Sequence, residues 1–333
     1  MLTDIPFDVP ANPNTRRIGL GLAALGRPGY INLGHAEDLQ GNYDQAFMEK
    51  HAHEILDLAW EKGVRHFDTA RSYGRGEQFL GNWLKKKELP KDQVLISSKW
   101  GYTYTANWQI QAEHHEVKEH SLAILDRQWK ESQEILGEYL DLYQIHSATL
   151  ESGVLENTAV LKRLAELKAS GTSIGLSTSG ANQAEVLKKA MEIEIDGKAL
   201  FDSFQSTFNL LETSVGPILK QASESGKAII IKEALANGRL TPRNQEADFK
   251  EKAELLNIIA ANLDTSIDAL SLAFVLKHPW ADQVLSGAAN SQHLLSNLEA
   301  ANLEIPDEIM EQLSTLAEDA GEYWAKRKSL AWN

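Results

Sequence analysis

At 333 residues with 43% hydrophobic side chains, the chain is long for one ordinary domain, but an α/β barrel routinely takes that length as a single unit. Its formal net charge of -14 argues against nucleic acid or an anionic membrane surface as partner, because either would reward a basic patch. The absence of cysteine removes disulfides, thiol catalysis and cysteine metal sites, and fits a reducing compartment.

The densest basic runs, Lys85-Lys86-Lys87 and Lys326-Arg327-Lys328, are short and read as solvated helix faces. Ile18 to Leu25 is too short and too glycine-rich to cross a membrane, and Asp4, Asp8 and several prolines do not make a signal peptide. A cytoplasmic protein is the expectation. The whole of 1–333 reads as one unit, with 1–15 as an N-terminal extension and 319–333 as a C-terminal tail.

Taken in order, the chain alternates. Arg17 to Leu22 predicts a first strand, and Pro28 to Tyr43 a polar loop. Ala52, Ile55, Leu56 and Ala59 recur at helical spacing until Gly63 stops the helix. A second strand, Val64 to Phe67, leads to Asp68; a helix over Gly76 to Lys87 follows, and a third strand, Val94 to Ser98, leads to Lys99. The aromatic loop GYTYTANWQIQAE and a helix carrying Leu122, Leu125, Trp129 and Ile135 precede a fourth strand that ends at His146. Strand five is Ser173 to Leu176, six is Phe201 to Ser206, seven is Ala228 to Ile231 and eight is Val284 to Ser286, with helices between and further helices near 246–261 and 266–277.

The strand-end positions Asp68, Lys99, His146, Ser177, Gln205, Lys232 and Gly287 lie 31, 47, 31, 28, 27 and 55 residues apart. A strand, a crossover helix and the return need about 30 residues, so most gaps hold one βα unit and the two long ones hold insertions, after strands three and seven. Eight such units close into a (β/α)8 barrel, with the C-terminal tail over its mouth. The doubly wound alternative lacks its dinucleotide fingerprint, since Gly19-Leu20-Gly21 is followed by Gly26 and not by a glycine three residues on.

If the strands are parallel neighbours, Asp68, Lys99 and His146 converge on one mouth. Tyr73, in the glycine-rich loop five residues after Asp68, joins them. A phenol with a pKa near 10 acts as general acid at neutral pH only when its conjugate base is stabilised, so a cation is needed nearby. His51, His53, His114, His115 and His120 do not repeat on one helical face with carboxylates, and no metal site is expected.

Three segments, DTARSYGRGEQFLG, ISSKWG and DLYQIHS, resemble the signature segments of the aldo-keto reductase superfamily in order and spacing, and the resemblance extends over most of the chain. It implies NAD(P)H-dependent reduction of an aldehyde or ketone, or oxidation of a sugar-like alcohol in reverse. Tyr73 would be the acid, Lys99 would lower its pKa, Asp68 would pair with Lys99 and His146 would orient the substrate oxygen. Ser177, Thr178 and Gln205 match positions that hold the nicotinamide carboxamide, and Gly21, Leu22, Asp68, Lys232, Ala234, Leu235, Gly238, Gly287, Ala289, His293 and Asn297 would complete the cofactor site.

Two departures stand out against the family. Lys232 occupies the position after strand seven where an aromatic ring usually stacks on the nicotinamide. Asn290 and Ser296 replace a cation and a glutamate at the adenosine end, leaving Arg239 or Arg243 as candidates for a 2′-phosphate; the resemblance favours NADP and leaves NAD possible. Trp100, Tyr102, Tyr104, Trp108, Tyr323, Trp324 and Trp332 either wall a substrate pocket or dock the loop and tail, and Arg71 either meets a substrate or is a surface arginine. Potassium-channel β subunits resemble the same family, so a cofactor-binding regulatory subunit with little turnover is the alternative reading.

Overall fold

A computed structural model describes residues 13–333, so most of the expected N-terminal extension lies outside the described residues. In chain order the strands are β1 (Ile18–Gly21), β2 (His66–Asp68), β3 (Leu95–Trp100), β4 (Tyr102–Tyr104), β5 (Glu116–Lys118), β6 (Leu140–Ala148), β7 (Ser173–Thr178), β8 (Glu194–Ile195), β9 (Lys198–Ala199), β10 (Ser203–Thr207), β11 (Ala228–Lys232) and β12 (Gln283–Ser286). Eight of them close a parallel barrel in the order β1-β12-β11-β10-β7-β6-β3-β2. This is the expected (β/α)8 fold.

The local sequence explains the alternation. β11, AIIIK, is β-branched and buried in its middle, as a strand covered on both faces requires. The helix Gln45–Glu61 starts where the Asp44 carboxylate accepts from Phe47 N at 2.9 Å, and it turns Met48, Ala52, Ile55, Leu56 and Ala59 inward. Ser121, Asn157, Ser266 and Asn290 cap four later helices in the same way. The main core lies between strands and helices, and a small cluster of Leu142, Ile230 and Leu285 fills the barrel interior.

Two segments differ from the sequence expectation. The aromatic insertion after β3 contains the antiparallel hairpin β4–β5, with Thr103 opposite Val117, because Tyr102 to Tyr104 and Glu116 to Lys118 alternate well enough to pair once brought together. A second hairpin, β8–β9, turns at Asp196-Gly197, both with positive φ, in the stretch between the helix and strand six for which no element was expected. The loop after β1 also carries a short helical turn, His35–Asp38.

Parallel register sets the mouth. Gly21 pairs with Asp68, Asp68 with Ser97, and Lys99 with Gln144, so the C-terminal ends of neighbouring strands open on one side. The pairing of β6 with β7 slips between Ile145 and Ala148, where Ser147 takes a φ of 52°. Such an irregularity re-aims the side chain beside it, here His146, and Ser177 Oγ accepts the displaced Ser147 N–H at 2.8 Å.

Candidate active site

Asp68 is the centre of the mouth. Its Oδ2 is ion-paired with the buried Lys99 ammonium, and its Oδ1 accepts from Ser97 Oγ at 2.7 Å, Gln205 Nε2 at 3.1 Å and Gln144 Nε2 at 3.4 Å. Lys99 Nζ also donates to the Thr69 carbonyl at 3.0 Å and lies 3.5 Å from the Tyr73 hydroxyl. The chain between them continues the pairing with β3, Thr69 N to Ser97 O and Arg71 N to Lys99 O, before the turn closed by Gly76 N to Tyr73 O at 2.8 Å. That turn delivers the phenol beside Lys99.

The four expected catalytic residues therefore meet. The Tyr73 and His146 rings stand edge to face with centroids 5.5 Å apart, and Ser72 Oγ is 3.4 Å from His146 Nδ1. The expectation of a lowered phenol pKa is not met: burial, and after it the Asp68 charge, push Tyr73 well above its ordinary 10 and outweigh the cations beside it. Burial, with Lys99, Lys232 and Arg27 nearby, holds the His146 imidazole well below 6.5 and so neutral.

An elongated cavity of about 610 Å³ runs from this cluster across the mouth to the start of the helix Ser291–Glu299. It falls in the range of small-molecule and cofactor sites. Of the expected cofactor positions, Gly21, Asp68, Gln205, Lys232, Ala234, Leu235, Gly238, Gly287, His293 and Asn297 line it. Leu22, Ser177, Thr178 and Ala289 do not; they are buried behind its wall, Thr178 bonded to Ser206 and Gln183, and the Ala289 carbonyl to His51. Gln205 spends an amide N–H on Asp68.

Gly287 opens onto space where a Cβ would meet nothing, and the small Ala23, Ala24 and Ala288 also line the groove. A flat, extended ligand fits such a channel. Lys232, in place of an aromatic ring, donates from Nζ to Thr207 Oγ1 at 2.7 Å, and burial brings its pKa down to about 8.

The sequence reading missed Glu233. It follows β11 with a φ of 55°, lies beside Lys232 and forks onto Arg327 of the helix Ala320–Ser329, with Nη2 at 2.5 Å and Nε at 3.1 Å from its oxygens. Burial works against its charge, yet Arg327 and Lys232 hold the carboxyl at about 2. No local spacing announces a pair 94 residues apart.

The aromatic residues divide between the two readings. Trp100, Tyr323 and Trp324 are buried in the core, and Trp108 docks its indole N–H on the Tyr43 carbonyl. Trp332 lines the cavity, stacked on His115 at 3.9 Å, and Tyr102 meets the His146 ring at 4.9 Å. Arg27, 5.1 Å over the Tyr73 ring and paired with Glu116 at 3.0 Å, is a second residue the sequence did not single out. Asn333 and Tyr30 exchange backbone hydrogen bonds, which holds the tail across the mouth. Arg71 is engaged by Glu77 and Glu131 instead. Of the five histidines weighed for a metal, His51, His53, His115 and His120 bond to backbone carbonyls, and among the described residues no cluster of three metal-ligating side chains occurs. No single described helix is long and apolar enough to cross a membrane.

The profile of the Aldo/keto reductase family matches residues 17–318. The chain belongs to this family. Relatives of this aldo/keto reductase include D-threo-aldose 1-dehydrogenase of Pseudomonas sp, 25% identical over 91% of this chain and 96% of the relative. L-glyceraldehyde 3-phosphate reductase of Escherichia coli is 26% identical over 85% of each. An aldo-keto reductase of Bacillus halodurans in its holo form, 21% identical, superposes with a TM-score of 0.69 over 91% of this chain and 93% of that one, and shares the fold. The relatives are named dehydrogenases and reductases, and the family generally uses NAD(P)H, so this aldo/keto reductase is an NAD(P)-dependent oxidoreductase.

Proposed function

We propose that the chain interconverts a small polar aldehyde or ketone and its alcohol, with Tyr73 as general acid and base. The observation that carries this is the Tyr73 hydroxyl 3.5 Å from Lys99 Nζ, at the end of the groove where His146 also points. A bound nicotinamide dinucleotide supplies the hydride in reduction and accepts it in the reverse direction.

The chain's own part is proton handling. Burial keeps the Tyr73 phenol protonated at neutral pH, so it has a proton to give as negative charge develops on the substrate oxygen. The phenolate left behind gains a hydrogen bond from the Lys99 ammonium, which Asp68 keeps in place. Neutral His146 donates a second hydrogen bond to the same oxygen, and donors aimed at a developing oxyanion favour the transition state over the ground state. Lys232, Ala234, Leu235, Gly238, Gly287, His293 and Asn297 line the rest of the cofactor groove.

Polar and aromatic groups around the phenol, Arg27, Tyr30, Glu116 and Trp332, suit a hydroxylated substrate more than an aliphatic one. The names of the relatives, which include an aldose dehydrogenase and a glyceraldehyde phosphate reductase, support the same class. The test is aldehyde-dependent oxidation of NADPH and NADH by the parent and by Tyr73→Phe, with cofactor affinity measured separately. A loss of about 100-fold or more in turnover with binding retained is the expected result. Equal activity in the variant, or a parent that binds cofactor and turns over nothing, refutes the proposal and returns the regulatory-subunit reading.

A further inference from the structure

NADP differs from NAD only by a phosphate on the adenosine ribose, so the far end of the groove decides between them. Tyr73 and His146 fix one end for the reacting ring. The adenosine then lies at the other, against Arg243, Ser266, Asp268, His293, Ser296 and Asn297. A 2′-phosphate brings nearly two negative charges and is commonly met by a forked guanidinium.

Arg243 is the guanidinium lining that end, and its fork is already filled. Nη1 and Nη2 donate to the two oxygens of Asp38 at 2.9 and 2.6 Å, and Nη1 also reaches the carbonyls of Leu33 and Gly34 at 3.1 and 3.2 Å. Asp38 accepts in addition from Asn290 Nδ2 at 2.7 Å and lies 3.6 Å from His293 Nδ1. With its side chain 1% exposed, it is a fixed carboxylate and not a surface charge that swings aside. A second carboxylate, Asp268, lines the same end of the groove, and among the described residues no cation lies within ion-pairing distance of it. The Asn297 amide, in the orientation that satisfies its neighbours, donates to Asp268 Oδ2 at 3.2 Å.

We infer that the adenosine end selects an unphosphorylated ribose: Asp38 withholds Arg243 from a 2′-phosphate, and Asp268 repels one and suits a ribose diol, so the chain uses NAD in preference to NADP. This rests on the groove holding a nicotinamide dinucleotide as proposed above. Carboxylates as acceptors for ribose hydroxyls and guanidinium forks for phosphates are opposite chemistries, and here the carboxylates dominate.

Calorimetric titration of the full chain with NAD⁺ and NADP⁺ tests this without any substrate. The parent is expected to bind NAD⁺ about tenfold or more tightly than NADP⁺ at low ionic strength, and Asp268→Asn is expected to narrow that ratio by about threefold or more. Asp38→Asn, which frees Arg243, should narrow it further; Asp268→Asn stands alone if the Asp38 variant does not fold. A parent that binds NADP⁺ as tightly as NAD⁺, or a ratio unmoved by Asp268→Asn, overturns the inference and leaves the oxidoreductase reading intact. Failure of the parent to bind either dinucleotide overturns both.

Discussion

Replacing Glu233 by Gln keeps the side chain's shape and removes its charge. The carboxyl sits at about 2 in the folded chain against an ordinary 4.5, a depression that corresponds to about 3 kcal/mol at 1.36 kcal/mol per unit. Breaking one side of a buried pair independently costs about 3–5 kcal/mol, here toward the lower end because the Arg327 side chain is 24% exposed. The sign follows from linkage. A depressed carboxylate contributes its stability above the unfolded value of 4.5 and loses it as pH falls toward 2, so by pH 3 only about 1.4 kcal/mol of the difference should remain. Urea unfolding of the parent and Glu233→Gln at pH 7 and pH 3 measures it, with an expected midpoint difference of ~1 M at neutral pH. Curves that stay equally separated at both pH values, or that differ by less than about 0.5 kcal/mol at pH 7, refute the reasoning.

Two other outcomes follow from the mouth. His146 should stay neutral across pH 5.5–8 because burial and three neighbouring cations oppose its protonation; its ring signals in NMR should not titrate there, and an inflection near 6.5 would contradict the described environment. Since the unfolded chain binds that proton and the folded one does not, this residue makes stability fall as pH drops below 6.5. Gly26→Ala places a Cβ against the Tyr73 carbonyl and within 2.7 Å of the Gly76 backbone, so the turn carrying the phenol must move. A shift of about 1 Å costs on the order of 100-fold in rate, so kcat should drop far more than circular dichroism or thermal midpoint changes; unchanged kcat would show that the turn is not the positioning element.

Much of this was legible because barrel chemistry sits at strand ends. Asp68, Lys99 and His146 each follow a short apolar run, and that local pattern survives without knowledge of the fold. Pairings across the chain leave no such mark: Asp38 with Arg243 and Glu233 with Arg327 join residues 205 and 94 positions apart. The direction of the Tyr73 shift was misjudged for a related reason, since burial and the charge of Asp68 together outweigh the cations near the phenol, and the sequence shows neither the burial nor the distances. The aromatic residues after β3 and in the tail could not be sorted by type, because a ring serves a core and a pocket wall equally well.

A barrel closed all round still needs its strand ends set level, and backbone pairing alone permits slippage. Asp68 supplies a common reference point. One buried carboxylate on β2 accepts side-chain hydrogen bonds from residues of β3, β6 and β10, so the heights of four strands are fixed against a single atom group. Levelling the rim and holding Lys99 beside Tyr73 are thus one act. A change at Asp68 disturbs alignment along with chemistry, whereas a change at Tyr73, which hangs from a loop, reads out chemistry alone.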